Sequence, residues 1–319
     1  MTDLPHSPEQ PAPAPKASRW KAFLKSDIFW SYSHSPVTIV ASIVALLLIL
    51  MAIFAPWIAP YNPFNPATLN LMDGFTPPNS TSFSGKYFSL GADNQGRDVL
   101  SAIMYGSRVS LFVGLMATLF AMVMGVGLGL VSGYVGGVVD AIIMRVADVQ
   151  LSFPAILIAL LIFGVARGII PPNQQEGTAI WVLIIAIGLA NWAQFARTVR
   201  GATMVERQKD YVAAARILGV NPIIILLRHV LPNVVGPVLV IGTIGLALAI
   251  IEEATLSYLG VGVPPTQPSL GTLIRIGQQF LFSGEWWILL FPAITLVLLA
   301  LSVNLLGDWL RDALNPKLR

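Results

Sequence analysis

The sequence of 319 residues contains no cysteine and only three histidines, His6, His34 and His229. The absence of cysteine excludes disulfides, thiolate metal ligands and a cysteine nucleophile. The histidines have no metal-ligand spacing such as HExxH, so a metal centre is not expected. No Gly-rich GKS or GKT phosphate loop occurs, so we expect the chain not to hydrolyse ATP itself. We assign it no catalytic, cofactor-binding or metal-binding residue.

Charged residues are also scarce. They make up 11% of the chain, whereas 55% of the residues are hydrophobic. Soluble domains usually carry about 25% charged residues, and a soluble fold has too little interior for this much apolar surface. The net charge of +3 is too small to favour a nucleic acid as partner. The expected partner of most of this surface is the lipid bilayer.

Six predominantly apolar runs are each long enough to cross a bilayer. A hydrocarbon core about 30 Å thick requires about 20 residues in a helix that rises about 1.5 Å per residue. A buried soluble helix could explain one such run, but not six. We therefore predict an all-α polytopic membrane protein with six transmembrane helices. The runs are Val37–Ala59, Val109–Val139, Val149–Ala166 with a start near Ala141, Gly177–Ala196, Val230–Ile251 and Trp286–Gly307.

Lysine and arginine are distributed unequally between the connections. They concentrate before the first run, between the fourth and fifth runs, and in the C-terminal tail. The positive-inside rule therefore places both termini in the cytoplasm. The predicted organisation is a largely disordered cytoplasmic segment at 1–36, a transmembrane domain at 37–308 and a cytoplasmic tail at 309–319. An external loop then covers about 60–108, and a cytoplasmic loop covers about 198–232.

Two patterns predict local packing. The second half of the external loop, Asp93–Tyr105, has one apolar face, and we expect a helix there that lies on the membrane surface. Gly125, Gly129 and Gly133 recur every four residues in the second run, which allows a neighbouring helix to approach closely. We expect that neighbour to belong to the same chain, with another subunit as the alternative.

Four ionisable residues lie near predicted span ends: Arg145, Asp148, Glu252 and Glu253. Ionisable groups within a membrane are candidates for function by default. Their position favours a simpler explanation, in which Arg145 and Asp148 pair on one helix face and the glutamates reach the interface. Contact with a substrate is the alternative.

The predicted cytoplasmic loop is much longer than a turn between two spans requires. Asp210 is a suitable N-cap, and the alanine-rich stretch Tyr211–Leu218 favours a helix. Gly219 stands where a left-handed residue ends such a helix. A helix this short is not stable alone, so it must dock on its own transmembrane bundle or on another protein. The residues leave both possibilities open.

A second short helix is predicted directly afterwards. Asn221 can cap it and Pro222 can occupy its first position. The helix would cover Ile223–Val230 and stop near Pro232.

This loop resembles the EAA loop of ABC importer permeases, whose pattern is Glu-Ala-Ala, three residues, Gly and a later Leu-Pro. Ala214, Ala215, Gly219 and the Leu231-Pro232 pair match that pattern, whereas Ala213 replaces the glutamate. In that family the loop is a coupling helix that fits a cleft on the ATP-hydrolysing subunit. The resemblance therefore implies a set of ATPase-coupling residues, namely Asp210, Tyr211, Ala213, Ala214, Ala215, Gly219 and Pro232.

Further segments resemble the C-type permease of the dipeptide/oligopeptide group. They are LGADNQGRDVLS at 90–101, EATLSYLGVG at 253–262, PPTQPSLGT at 264–272 and NLLGDWLRDALNP at 304–316. The resemblance implies a permease subunit, and not an enzyme, in the bacterial cytoplasmic (inner) membrane. Its cargo would be peptides or related small solutes.

The same resemblance implies several partners. A second permease would pair with this chain, two ATP-binding subunits would hold ATP and magnesium, and an extracytoplasmic solute-binding protein would deliver the cargo. The sequence does not identify the residues that line the substrate path.

Two other classes of protein remain as alternatives. An ion-coupled secondary transporter would have acidic groups or broken helices at mid-membrane, and the runs show little of either. A membrane-embedded hydrolase would have a Ser/His/Asp or paired acidic constellation, which the runs lack. The cargo also stays open among peptides, opines, metal complexes, glutathione and sugars.

Overall fold

The computed structural model describes residues 31–65, 69–264 and 266–313. The predicted disordered segment falls almost entirely on residues 1–30, outside the described residues, and so does the tail beyond 313. The described chain is helical apart from loops and one antiparallel hairpin, β1 (Ser80–Thr81) with β2 (Tyr87–Phe88), in which Ser80 faces Phe88. The prediction of an all-α fold is confirmed.

Short 3₁₀ turns lie at Leu71–Asp73 and Leu281–Ser283, and a π-helical segment covers Ile225–Val230. The helices are α1 Pro36–Ile53, α2 Ala55–Ile58, α3 Val99–Val135, α4 Gly137–Leu151, α5 Ala155–Ile169, α6 Pro172–Glu206, α7 Asp210–Ile217, α8 Pro222–Tyr258, α9 Leu270–Gln278 and α10 Trp287–Ala313.

Five of these helices, α1, α3, α6, α8 and α10, are long and apolar enough to cross a bilayer. The pair α4 and α5 is a sixth span if its two halves are counted together, although they meet at a bend of 96°. The third predicted run, Val149–Ala166 with a start near Ala141, is therefore not one continuous helix. Pro154 explains the break, because it has no backbone N–H and disfavours a helical conformation at Phe153.

Hydrogen bonds from Gln150 hold this bend against α6. Its amide nitrogen donates to the carbonyl oxygens of Leu189 and Ala190 at 2.6 and 2.9 Å. Its amide oxygen accepts from the indole nitrogen of Trp192 at 2.6 Å. The bend is thus fixed by side-chain contacts as well as by the proline.

The helix expected on the membrane surface at 93–105 does not exist as a separate element. The chain from Asp93 to Asp98 is a loop, and α3 then runs without a break from Val99, with the Asp98 carboxylate accepting from the Ser101 amide at 2.8 Å. Val99 and Ile103 are buried against Leu270 of α9 and Trp287 of α10. The apolar face is covered by protein, so the surface location was wrong.

The predicted stop near Pro232 was also wrong, because α8 continues through it. The preceding turn widens to a π-helix, in which the Leu231 amide donates to the carbonyl oxygen of Leu226. A widened turn accommodates a residue without an N–H, which would break a regular helix. Ile223–Val230 is therefore continuous with the helix that forms the fifth span.

The glycine seam joins α3 to α6 within the chain, as predicted. A methyl group at Gly125 would lie 2.5 Å from the Trp192 carbonyl oxygen, and one at Gly129 would lie 2.6 Å from that of Ala196. At Gly133 the same distance to the Arg200 carbonyl oxygen would be 2.8 Å. Only glycine, whose side chain is a hydrogen atom, allows the two backbones to lie this close together.

The loops at the opposite end from α7 also pack together. The Trp287 indole donates to the Ala92 carbonyl oxygen at 3.1 Å, which ties the 61–98 segment to the start of α10. Within that segment Arg97 and Asp93 form a buried ion pair at 2.6 Å. Thr266, after α8, donates to Glu176 near the start of α6.

The seam gives a stability prediction with an internal control. Gly129→Ala places a methyl group against rigid backbone and should destabilise the protein by about 1–3 kcal/mol. Gly127 lies two residues away on α3 with nothing within 4 Å of an added methyl group, so Gly127→Ala should have little effect. Thermal unfolding of both variants in detergent measures the difference. Equal melting temperatures would contradict the proposed packing.

Candidate functional site

The loop between α6 and α8 is compact around α7, and residues 207–222 are called the elbow below. The N-cap of α7 is Lys209, whose carbonyl oxygen accepts from the amides of Val212 and Ala213 at 3.0 and 3.2 Å. Asp210 is already the first helical residue, so its prediction as the N-cap was wrong by one position. Its negative charge in the first turn still suits the helix dipole.

Gly219 ends α7 as predicted. It has a φ of +74°, which residues with a side chain rarely adopt. The Gly219 amide donates to Arg216 O at 3.0 Å and the Val220 amide donates to Ala215 O at 3.1 Å, which together form a Schellman motif. Nothing lies within 4 Å of an added methyl group, so the backbone conformation alone requires glycine.

The start of α8 also agrees with the sequence. The Asn221 side chain accepts from the Ile223 amide at 2.9 Å, and Pro222 is the first helical residue. Together with Gly219, this cap reverses the chain within a few residues.

The inner face of α7 docks on the chain's own bundle. Val212 is fully buried and Ala215 nearly so, and both join the apolar cluster that contains Leu130 of α3, Val199 of α6 and Val234 of α8. The bundle therefore stabilises a helix that is too short to be stable alone.

The outer face of α7 carries exposed apolar side chains at its C-terminal end. Ile217 and Leu218 are 87% and 80% exposed, and Ile223 at the start of α8 is 65% exposed. We call these three residues the apolar tip. Ile217 and Leu218 were not among the predicted coupling residues. The sequence does contain a signal for them, because two large apolar residues stand directly before the C′ glycine and outside the inward Val212–Ala215 face.

A hydrogen-bond network connects the elbow to α6 and α8. The Tyr211 hydroxyl donates to the buried carboxylate of Glu206, the last residue of α6, and accepts from the Asn233 amide nitrogen of α8 at 3.2 Å. Lys209 pairs with the same Glu206 carboxylate at 2.8 Å. Burial raises the pKa of Tyr211 to about 12, and the Glu206 carboxylate adds to this because it stabilises the protonated hydroxyl.

A second set of contacts connects the elbow to the end of α3. The Arg216 guanidinium lies 4.9 Å from the centroid of the Tyr134 ring. Arg207 donates to the carbonyl oxygens of Gly133 and Tyr134 at 2.9 and 3.2 Å, where a helix C-terminus favours a cation. The elbow therefore makes side-chain contacts with three long helices, α3, α6 and α8.

The predicted coupling residues are exposed, with a single exception. Ala215 faces inward and is buried. The other six residues are exposed, namely Asp210, Tyr211, Ala213, Ala214, Gly219 and Pro232. Their contact with an ATPase stays a prediction.

The four charged residues near the span ends behave differently from expectation. Asp148 pairs with Arg197 of α6 and not with Arg145, so that prediction was wrong. Glu253 is fully buried and accepts from the Ser257 hydroxyl at 2.7 Å, which rules out an interfacial position. Glu252 accepts from the Asn191 amide at 2.7 Å, near the middle of α6.

Within the described ranges, no three Asp, Glu or His side chains are placed to hold a metal ion.

Comparisons with known proteins agree on one family. Residues 125–319 match the family described as binding-protein-dependent transport system inner membrane component. Residues 23–78 match the N-terminal TM domain of oligopeptide transport permease C.

Individual relatives cover almost the whole chain. The dipeptide transport system permease protein DppC of Escherichia coli (strain K12) is 40% identical over 295 residues, which are 91% of this chain and 93% of the relative. The di/tripeptide transport system permease protein DppC of Pseudomonas aeruginosa (strain UCBPP-PA14) is 34% identical over 91% of this chain and 92% of its own. An inward-facing structure of the MetNI methionine ABC transporter has the same fold. Its TM-score is 0.53 at 19% identity, with 67% of this chain and 96% of that chain covered.

The network around Tyr211 predicts a pH-dependent stability. Tyr211→Phe removes a hydroxyl that bonds to a buried carboxylate and should destabilise the protein by about 1 kcal/mol near neutral pH. Because folding raises the pKa of Tyr211 from 10.0 to about 12, this contribution is fully present below pH 10 and is lost as the pH rises through 12. The melting temperatures of the wild type and of Tyr211→Phe, measured from neutral pH upward, should converge as the pH approaches 12. A difference that grows above pH 10 would contradict the assignment.

Proposed function

The chain belongs to the family of binding-protein-dependent transport system inner membrane components, the permeases of ABC importers, and we propose that it forms half of a peptide translocation path and couples to ATPase subunits through α7. It is a polytopic protein of the bacterial inner membrane, and it resembles the C-type permeases of the dipeptide/oligopeptide group. One observation carries the coupling role: the elbow is braced from three helices and presents an unburied apolar tip.

The apolar tip supports a protein partner at this position. Ile217, Leu218 and Ile223 together expose large apolar side chains on the loop that also has the most lysine and arginine. The positive-inside rule places that loop in the cytoplasm, where neither lipid nor membrane core covers it. Burial of each side chain against a partner is favourable by about 1.5–3 kcal/mol. An ATP-binding subunit is the partner that the family supplies on this side.

The exposed alanines determine how the partner approaches. Ala213 and Ala214 have short side chains on the outer face, so the partner's backbone can come close to α7. Ala213 stands where the EAA pattern has glutamate, and no charge is therefore available there for an ion pair. We propose that shape complementarity around these alanines and the apolar tip provides most of the docking energy.

The proposed cycle begins on the partner subunits. ATP and magnesium bind to two ATPase subunits, whose closure moves both α7 helices of a permease pair. The braces from Tyr211, Arg207 and Arg216 pass that displacement to α6, α8 and α3 as a rigid-body movement. The two permeases then open the path alternately to each side, and an extracytoplasmic solute-binding protein delivers the cargo.

The cargo proposed for this chain is a short peptide. The relatives from Escherichia coli and Pseudomonas aeruginosa are named as dipeptide and di/tripeptide permeases, and each aligns with 91% of the chain. Family membership sets aside the alternative of an ion-coupled secondary transporter, which would work without an ATPase.

The apolar tip gives the first test of coupling. Replacement of Ile217 and Leu218 together by serine should weaken the retention of the ATPase subunits in the purified complex by more than tenfold, because two fully exposed docking side chains are lost. Phe83 is 81% exposed at the opposite end, so Phe83→Ser is the matched control and should retain them fully. Co-purification and peptide-stimulated ATP hydrolysis measure the result. Normal retention in the double variant would refute the docking role.

The turn at Gly219 gives a second test. Gly219→Val forces a β-branched residue into a left-handed conformation, so α7 should end differently while insertion into the membrane is unchanged. We expect peptide uptake to fall strongly and ATP hydrolysis to become independent of the loaded binding protein. Gly219→Asn, which tolerates positive φ, should keep most of the uptake. Wild-type uptake by the valine variant would contradict the lever role of the elbow.

A further inference from the structure

Polar side chains form a strip where the middle of α6 meets α8. Asn191, Gln194 and Thr198 share one face of α6 over about 10 Å of its length, because they are spaced by three and four residues. Asn191 is bonded to Glu252 of α8. Asn191 and Gln194 also line one cavity with Thr118, which lies near the centre of α3. The strip is therefore level with the middle of the longest spans.

This strip is not covered by the described parts of the chain. Gln194 is exposed, and Asn191 and Glu252 are partly exposed. A charged or amide side chain in contact with lipid at this depth is strongly unfavourable, because the hydrocarbon offers no hydrogen-bond partner. The strip must instead face water or another polar surface.

The two neighbouring glutamates, Glu252 and Glu253, have different environments. Glu253 is fully buried within the chain, so its carboxylate, one oxygen of which accepts from Ser257, is not accessible to a solute. Glu252 points to the α6 side, where Asn191 orients one of its carboxylate oxygens. Its second oxygen makes no hydrogen bond to any residue that the structure describes. An oriented carboxylate with a free oxygen on an uncovered polar strip can accept a cationic donor.

We propose that this strip lines the translocation path and that the Glu252 carboxylate, held by Asn191, contacts the terminal ammonium group of the peptide as it passes. The inference rests on the proposed function, because it assumes a peptide cargo and a water-filled path. It adds a specificity-determining residue of this chain to that path. Gln194 and Thr198 continue the strip toward the end of the bundle that carries the elbow, where the peptide would leave.

The lining role can be tested by labelling, because the chain has no cysteine of its own. Gln194→Cys in the assembled importer should react with the cationic, water-soluble thiol reagent MTSET at least tenfold faster than Leu47→Cys. Leu47 is 60% exposed on the apolar α1 and serves as the lipid-facing control. Thiols in water react readily as thiolates, whereas thiols in lipid do not. Equal rates would mean that lipid or a partner helix covers the strip, and the proposal would fail.

The contact with the ammonium group needs a second measurement. Uptake of a dipeptide is compared with uptake of its desamino analogue, each presented as a saturated complex with the binding protein. Loss of one charge-assisted hydrogen bond in Glu252→Gln should lower the ratio of dipeptide uptake to analogue uptake about tenfold. Glu252→Asp retains a carboxylate and should lower this ratio less. Glu176→Gln, which removes a carboxylate at the outer end of α6, should leave the ratio unchanged. An unchanged ratio in Glu252→Gln would overturn the contact.

Different outcomes of these uptake measurements refute the role of Glu252 and the proposed function. If the wild-type complex takes up dipeptide in an ATP-dependent manner and Glu252→Gln does so with the same ratio, only the role of Glu252 is refuted. If the wild-type complex shows no ATP-dependent uptake of either compound, the peptide permease assignment itself fails. A general folding defect in Glu252→Gln would lower both rates equally and leave their ratio unchanged, which counts against the contact.

Discussion

The close contact between α3 and α6 determines where the functional groups of this permease lie. Three glycines on α3 bring the two backbones together along about two turns, and a methyl group at Gly129 would already meet the Ala196 carbonyl oxygen. In a bilayer such a seam is stabilised by van der Waals packing between helices, because lipid provides little hydrophobic driving force for their association. The loop before α3 and the elbow after α6 then adjoin this pair at opposite ends.

At the end that carries the elbow, the seam places the last residues of α3 and α6 side by side. Tyr134 and Glu206 can therefore hold α7 from two directions, through Arg216 and Tyr211 respectively. The elbow is held against the bundle by these contacts and exposes the apolar tip to its surroundings. This combination is what a lever requires, since a flexible attachment would absorb the movement of a partner instead of transmitting it.

Near the middle of α6, two adjacent acidic residues of α8, Glu252 and Glu253, lie in different environments. Glu253 faces the interior of the chain and is fully buried, whereas Glu252 faces α6 and is partly exposed. Successive residues on a helix are about 100° apart, so neighbours in sequence meet different surroundings. A carboxylate that remains uncovered at this depth requires water or a polar partner, and a path between two permeases would provide the water.

The sequence by itself determined the features that depend on local chemistry. It predicted the helical spans from their apolar length, the glycine turn at 219 and the Asn221 cap, because each depends on residues close together in the chain. It did not predict that the chain remains helical through Pro232, since a π-turn accommodates the missing N–H there. Nor did it predict that Asp148 pairs with Arg197, which is distant in sequence. Only the tertiary structure decided which face of each helix is covered, because burial depends on neighbours that residue spacing within one helix does not specify.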